Sequence, residues 1–222
     1  IRFTGSNRKI FLLMRPDAVL FDLDGVLVDA CDWHYLALNS ALESIGVDPI
    51  SREDHETTYN GLPTKVKLDM LGLHEDECAL VWKLKQEHTL KIIKENASHQ
   101  QEKVDLLLAL KKMNIKTICV TNSIRETATE MLISTGQYDF IDKLYSNEDV
   151  EKNKPHPDCY NHAVKELNLD PSKCIIVEDS PKGLEAGHSS VISNIWQVLN
   201  SKQVTLKNYR RYVDENFNSN GR

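Results

Sequence analysis

Apolar positions recur with two different periods along the chain. Val19-Leu20-Phe21, Lys116-Thr117-Ile118-Cys119-Val120, Lys143-Leu144-Tyr145, Cys174-Ile175-Ile176-Val177 and Asn194 to Leu199 are short extended-type segments bounded by polar residues. Runs of this length predict strands, and the most apolar of them predict strands buried on both faces. Between the later ones, apolar residues fall at helical spacing. Helices are expected through Leu106, Leu107, Leu110 and Met113, over Thr127 to Thr135, over Asp158 to Leu167 and from Pro181 to about Ser190. Strands alternating with helices of about ten residues predict an α/β fold, a Rossmann-like doubly wound parallel sheet with helices on both faces. One stretch breaks the alternation. Trp33, Leu36, Ala37, Ala41, Leu42 and Ile45 trace a helix closed by Gly46, Ser51 can cap a short one, and Pro63 suits the first turn of a third. Glu75 to about Glu95 forms a long amphipathic fourth. Residues 32–97 are thus a helical block inserted after the first strand, dividing the α/β core into residues 14–31 and 98–215.

Polar chemistry collects where strands end. Val19 to Phe21 run into Asp22-Leu23-Asp24-Gly25. In an open parallel sheet, ligands bind at the carboxyl ends of the strands, which puts both carboxylates at the mouth of that crevice. One can attack while the other handles protons. An Asx turn ending a buried strand is the plain alternative, and a calcium loop is disfavoured because Val26 and Leu27 stand where oxygen ligands would be needed. Val120 leads into Thr121-Asn122-Ser123, a hydroxyl and backbone amides before a helix, suited to phosphate oxygens or simply to an N-cap. Lys154 sits in the proline-braced loop Lys152-Asn153-Lys154-Pro155-His156-Pro157. Glu178-Asp179 ends another buried strand. Four carboxylates at one sheet edge repel unless a cation joins them, and magnesium, which prefers a few carboxylates, waters and substrate oxygens, fits.

Composition narrows the partners. A formal net charge of −6 and the lack of a basic, aromatic-laced run argue against nucleic acid. Cys31, Cys78, Cys119, Cys159 and Cys174 are odd in number with no Cys-x-x-Cys pair, as in reduced thiols of a cytoplasmic protein. The early apolar run Ile10 to Met14 is far too short to cross a bilayer, and no heptad stands out, so a monomer is expected. Met14 has the look of a natural start, making residues 1–13 an expected artificial or upstream extension. Residues 216–222 are polar and expected to fray.

Taken in order, Asp22-x-Asp24-Gly25, Thr121-Asn122, Lys154-Pro155 and Glu178-Asp179 resemble the four motifs of the haloacid dehalogenase superfamily of phosphohydrolases, over roughly Asp17 to Leu206. The β-phosphoglucomutase-like phosphatases are the most similar members, and the block 32–97 resembles their C1 helical cap. The resemblance implies a magnesium-dependent phosphatase for a small phosphomonoester, such as a sugar phosphate, acting through an aspartyl phosphate. It implies Asp22 as nucleophile and Asp24 as general acid, then base. Thr121, Asn122 and Lys154 would bind the phosphoryl group. Asp22, the backbone carbonyl of Asp24 and Asp179 would hold Mg2+, with Glu178 in or beside its shell. From the cap, His34, Lys65 and Lys85 would face the substrate. Asp24 favours phosphatase or mutase over dehalogenase or transport ATPase chemistry. Ile124 and Thr64 stand where a mutase has a Lys and an Arg for a second phosphate, which leaves a phosphosugar mutase as the alternative. A non-catalytic module binding a phosphometabolite or protein partner is the rival from another class. The sequence departs from the family at Gly187 to Ile192, at Trp196 in a normally aliphatic strand, and near Ser98 to Glu102, where Pro-Gly is missing.

Overall fold

The computed structural model describes residues 15–59 and 62–217. The expectations for residues 1–13, for Met14 as a start and for 218–222 lie outside the described residues. Five parallel strands form one sheet, β1 (Ala18–Phe21), β2 (Lys116–Val120), β3 (Lys143–Tyr145), β4 (Cys174–Glu178) and β5 (Asn194–Gln197), in the order β3-β2-β1-β4-β5. The first strand is therefore central, and the chain winds outward from it in both directions. This is the doubly wound α/β architecture that the alternating pattern predicts.

Alternation along β1 divides the core. Val19 and Phe21 pack with Leu106, Leu107, Leu110, Met131 and Leu132, whereas Ala18 and Leu20 pack with Tyr160, Ala163, Val164 and Ala186. The first group comes from α5 (Gln101–Lys112) and α6 (Arg125–Ser134), the second from α7 (Asp158–Glu166) and α8 (Pro181–His188). Since side chains of a strand point alternately to opposite faces, each face of β1 receives its own helical layer. Trp196, the departure in β5, is accommodated on the α5 face. It stacks on Tyr212 at 5.8 Å and tilts against Tyr209, both from α9 (Leu206–Tyr212). The chain stays helical beyond 215 in a wide turn, Val213–Phe217, so residues 216 and 217, expected in a frayed tail, are helical instead.

The inserted block folds as α1 (Cys31–Glu43), α2 (Arg52–Asp54) running into a π-type turn (His55–Tyr59), α3 (Thr64–Met70) and α4 (Glu75–Asn96). Ser51 caps α2 by accepting from the Asp54 amide, as its hydroxyl suggests. Leu38, Ala41, Leu42, Ile50, Leu68 and Val81 give the block an apolar centre of its own. Gly46 adopts φ 77° just past α1, the left-handed conformation that ends helices.

Leu107 is fully buried between β1 and α5's neighbours. Leu107→Ala is expected to cost about 2–5 kcal/mol, the usual range for a leucine deleted from a core, read from urea unfolding.

Candidate active site

Strand register builds the site. Phe21 pairs with Cys119 of β2 on one side and with Val177 of β4 on the other. The next residue on each strand is then level: Asp22 lies between Val120 and Glu178, with Thr121 and Asp179 one step beyond. Backbone bonds hold this edge, the Asp22 amide donating to Val177 and the Thr121 amide to Tyr145. Three motifs distant in sequence meet because parallel strands in register end together.

Lys154 enters this edge from the loop after β3. Its Nζ donates to Asp22 Oδ1 at 2.6 Å, Glu178 Oε1 at 2.5 Å and the Val120 carbonyl at 2.9 Å. The Asn122 side chain fixes the loop, donating to the Lys154 carbonyl and accepting from the Lys154 amide, both at 3.1 Å. The Asn122 amide, expected on phosphate, is thus occupied with positioning the lysine. Burial would disfavour the charged lysine, but Asp22 and Glu178 outweigh it and hold its pKa well above the ordinary value. The Asp22 carboxyl is pushed up by burial and by Glu178, an effect that Lys154 offsets only in part.

Glu178 is fully buried and committed inward. Besides Lys154, its Oε1 accepts from the Tyr160 hydroxyl at 2.7 Å, and its Oε2 accepts from the Asp179 amide at 3.2 Å. Gly183 lets it fit there: a Cβ at that position would sit 2.0 Å from the carboxylate. Asp179 differs. Its Oδ1 is buried without a hydrogen-bond partner, and its pKa rises to about 7 through burial and the nearness of Glu178. Asp22, Glu178 and Asp179 each offer an oxygen within 4.8 Å of the others. An orphaned carboxylate oxygen in a cluster of oxygen donors fits a hard divalent cation such as magnesium. Gly25, at φ 86°, shapes the same spot, since a Cβ there would lie 2.0 Å from Asp179 Oδ2.

Asp24 turns away from this cluster towards the inserted helices. Its Oδ1 meets His34 Nε2 at 2.9 Å and its Oδ2 accepts from the Ser123 hydroxyl at 2.9 Å. Burial works to raise the Asp24 pKa, yet His34 and Ser123 bring it below the ordinary value. His34 is itself lowered by burial, with Asp24 opposing. Thr121 is buried, and its Oγ1 accepts from the Ser123 amide at 3.0 Å, drawing the start of the following loop into a tight turn.

Asp22, Asp24, His34, Thr121, Lys154 and Asp179 line a cleft of about 500 Å3 between the sheet edge and the inserted helices. Lys85 lines it and is buried, with its pKa lowered by burial to about 8. Lys65 reaches only the exposed rim; the buried lysine of α3 is Lys67, two positions on. One residue of helix turns a side chain by about 100°, so neighbouring lysines face different surroundings and only the packing of Leu68 reveals which is inside. Sequence reasoning also passed over Tyr160, whose role depends on a contact from α7 to the end of β4, and Ser123 as the partner of Asp24.

The profile of the family described as haloacid dehalogenase-like hydrolase matches residues 19–197. The phosphorylated carbohydrates phosphatase of Thermotoga maritima is 28% identical over 191 residues, spanning 83% of this chain and 86% of that protein. The 6-phosphogluconate phosphatase of Escherichia coli is 27% identical over 79% of each chain. Among solved structures, β-phosphoglucomutase from Clostridium difficile superposes with a TM-score of 0.74 at 24% identity, covering 91% of this chain and 99% of that one.

Lys154→Met is expected to cost about 3–5 kcal/mol, because it leaves two buried carboxylates without their cation. Urea unfolding in chelator measures this; a loss of about 1 kcal/mol or less, the worth of an exposed pair, would show that the lysine does not hold the edge together. By fold, motif placement and sequence profile alike, the chain belongs to the haloacid dehalogenase-like hydrolase family.

Proposed function

We propose that this phosphoric monoester hydrolase removes phosphate from a small sugar phosphate or related metabolite, with magnesium as cofactor and Asp22 as the group that becomes phosphorylated. The observation that carries the reading is the Asp22 carboxylate at the floor of the cleft, held by a buried lysine at 2.6 Å, with a second carboxylate, Asp24, lining the same cleft. Relatives named as phosphatases of phosphorylated carbohydrates and of 6-phosphogluconate support the substrate class.

In this mechanism an Asp22 oxygen attacks phosphorus while the bond from phosphorus to the leaving oxygen breaks. Lys154 and Thr121 orient the phosphoryl oxygens and spread their charge, the main contribution a protein makes to phosphoryl transfer. Asp24 passes a proton to the departing alkoxide. Water then attacks the aspartyl phosphate, its proton goes to Asp24, and inorganic phosphate leaves with Asp22 restored. Asp22, Asp179 and the Asp24 carbonyl would hold magnesium, with Glu178 behind them, and the ion would supply charge neutralisation and alignment. The geometry of Asp24 adds a detail. His34 and Ser123 lower its pKa and favour its base form, so acting as the acid requires it to loosen one of these contacts and take a proton.

Ile124 and Thr64, where a mutase carries cations, support hydrolysis over return of the phosphate to sugar. Five free cysteines, none of them in a disulfide, also fit the cytoplasm as its place of work. A panel of phosphomonoesters is expected to give magnesium-dependent phosphate release, lost in excess chelator. Asp22→Asn is expected to reduce kcat by about a thousandfold or more, as for removal of a covalent nucleophile; substantial magnesium-dependent turnover in that variant overturns the mechanism. Failure of every phosphomonoester, with tight binding retained, would favour a binding module instead.

A further inference from the structure

Two ammonium groups on the cap wall of the cleft lack partners. Lys67 of α3 and Lys85 of α4 are 5% and 6% exposed, both line the cleft, and neither ammonium group makes a hydrogen bond or ion pair among the described residues. A buried cation without an anion is costly, and the cost is compounded here because each lysine disfavours charge on the other or on nearby groups. The Lys67 pKa falls to about 7 through burial and the nearness of Lys85. The Asp24 charge favours both ammonium groups, yet among the described residues no carboxylate forms an ion pair with either. Asp24 is occupied by His34 and Ser123, and Glu56, on the same wall, faces Arg52 at 3.7 Å. Lys182 of α8 adds a third cation to the lining from the core side. The transferring phosphoryl group already has Lys154 and Thr121 at the floor, so the cap lysines are positioned for something further out.

We propose that the cleft selects phosphomonoesters carrying a second anionic group, a phosphate or a carboxylate, at the end remote from the reacting phosphate, with Lys67 as the residue that reads it and Lys85 beside it. This rests on the phosphatase reading of the same cleft. The ligand supplies the anion that the fold withholds, and the exclusion of water strengthens the pairing. A neutral sugar phosphate would leave both ammonium groups buried and unpaired, so the cap discriminates against it by the same physics that rewards the dianion.

Two substrate pairs differing only at the far end separate the sources: sorbitol 6-phosphate against 6-phosphogluconate for a carboxylate, and glucose 1-phosphate against glucose 1,6-bisphosphate for a phosphate. In the magnesium-loaded enzyme, kcat/KM is expected to favour the doubly anionic member of at least one pair by roughly tenfold or more, the effect of one charge-assisted hydrogen bond. Lys67→Met should collapse that ratio, chiefly through KM, and Lys67→Arg should restore much of it. The same pairs titrated calorimetrically into Asp22→Asn give the preference as a ratio of Kd without turnover. Loss of hydrolysis alone therefore overturns the phosphatase reading, and the binding ratio still decides the anion preference. Equal Kd and kcat/KM within both pairs, or a preference untouched by Lys67→Met, overturns the proposal and assigns the cap lysines to the transferring phosphate.

Discussion

The Lys154 ammonium, wedged between Asp22 and Glu178, is the interaction on which the rest of the site depends. Three carboxylates converge on one sheet edge because three strand ends converge there. Without an internal cation that convergence would be self-repelling in a region of low dielectric. Lys154 reaches the edge from a separate loop, and Asn122, one residue past Thr121, fixes the loop's backbone. The four motifs are therefore mechanically coupled. A displacement of the β2 end moves Asn122, Asn122 carries the lysine, and the lysine holds the side chains of both Asp22 and Glu178.

A division of labour between adjacent carboxylates follows from the same geometry. Glu178 and Asp179 are neighbours in sequence but not in role. Glu178 points into the α7 face, where Lys154, Tyr160 and the space above Gly183 fix it, and Asp179 lines the cleft with one buried oxygen unpaired among the described residues. Asp22 and Asp24 divide similarly. The strand ends at Phe21, and Gly25, in a left-handed conformation, turns the chain so that Asp24 faces the inserted helices. One carboxylate serves the buried charge network and the other meets a histidine and a serine, so their proton affinities move in opposite directions.

Much of this was legible in the sequence, for reasons that can be named. A parallel sheet buries its strands on both faces, so β2 and β4 are short apolar runs whose ends are marked by the first polar residue, and those ends are where the chemistry collects. Every strand expected from the pattern is present, with ends shifted by no more than two residues. Contacts that arise only through packing were not legible. Tyr160 reaches Glu178 across eighteen residues of sequence, and nothing in its local pattern distinguishes it from another core aromatic. The lysines of α3 illustrate the limit more sharply: Lys65 and Lys67 flank Val66 in a short helix with little amphipathic signal, and only the packing of the cap centre buries the second.

The cleft is electrostatically layered, and the layering has a consequence for what it can hold. Carboxylates and Lys154 make up the floor at the sheet edge, whereas the cap wall contributes Lys67 and Lys85. A chain with a formal net charge of −6 offers little long-range attraction to anions, so recognition falls to fixed local charges within the cleft, where solvent exclusion makes them count for more. In the proposed mechanism the floor meets charge that changes during reaction, which suits its crowded and mutually perturbed carboxylates. The wall binds charge that does not change, for which two buried ammonium groups on helices suffice. Because the wall belongs to the inserted helices with their own apolar centre, and the floor to the sheet, substitutions in α3 or α4 can alter which metabolite is accepted while leaving the register of β1, β2 and β4 untouched.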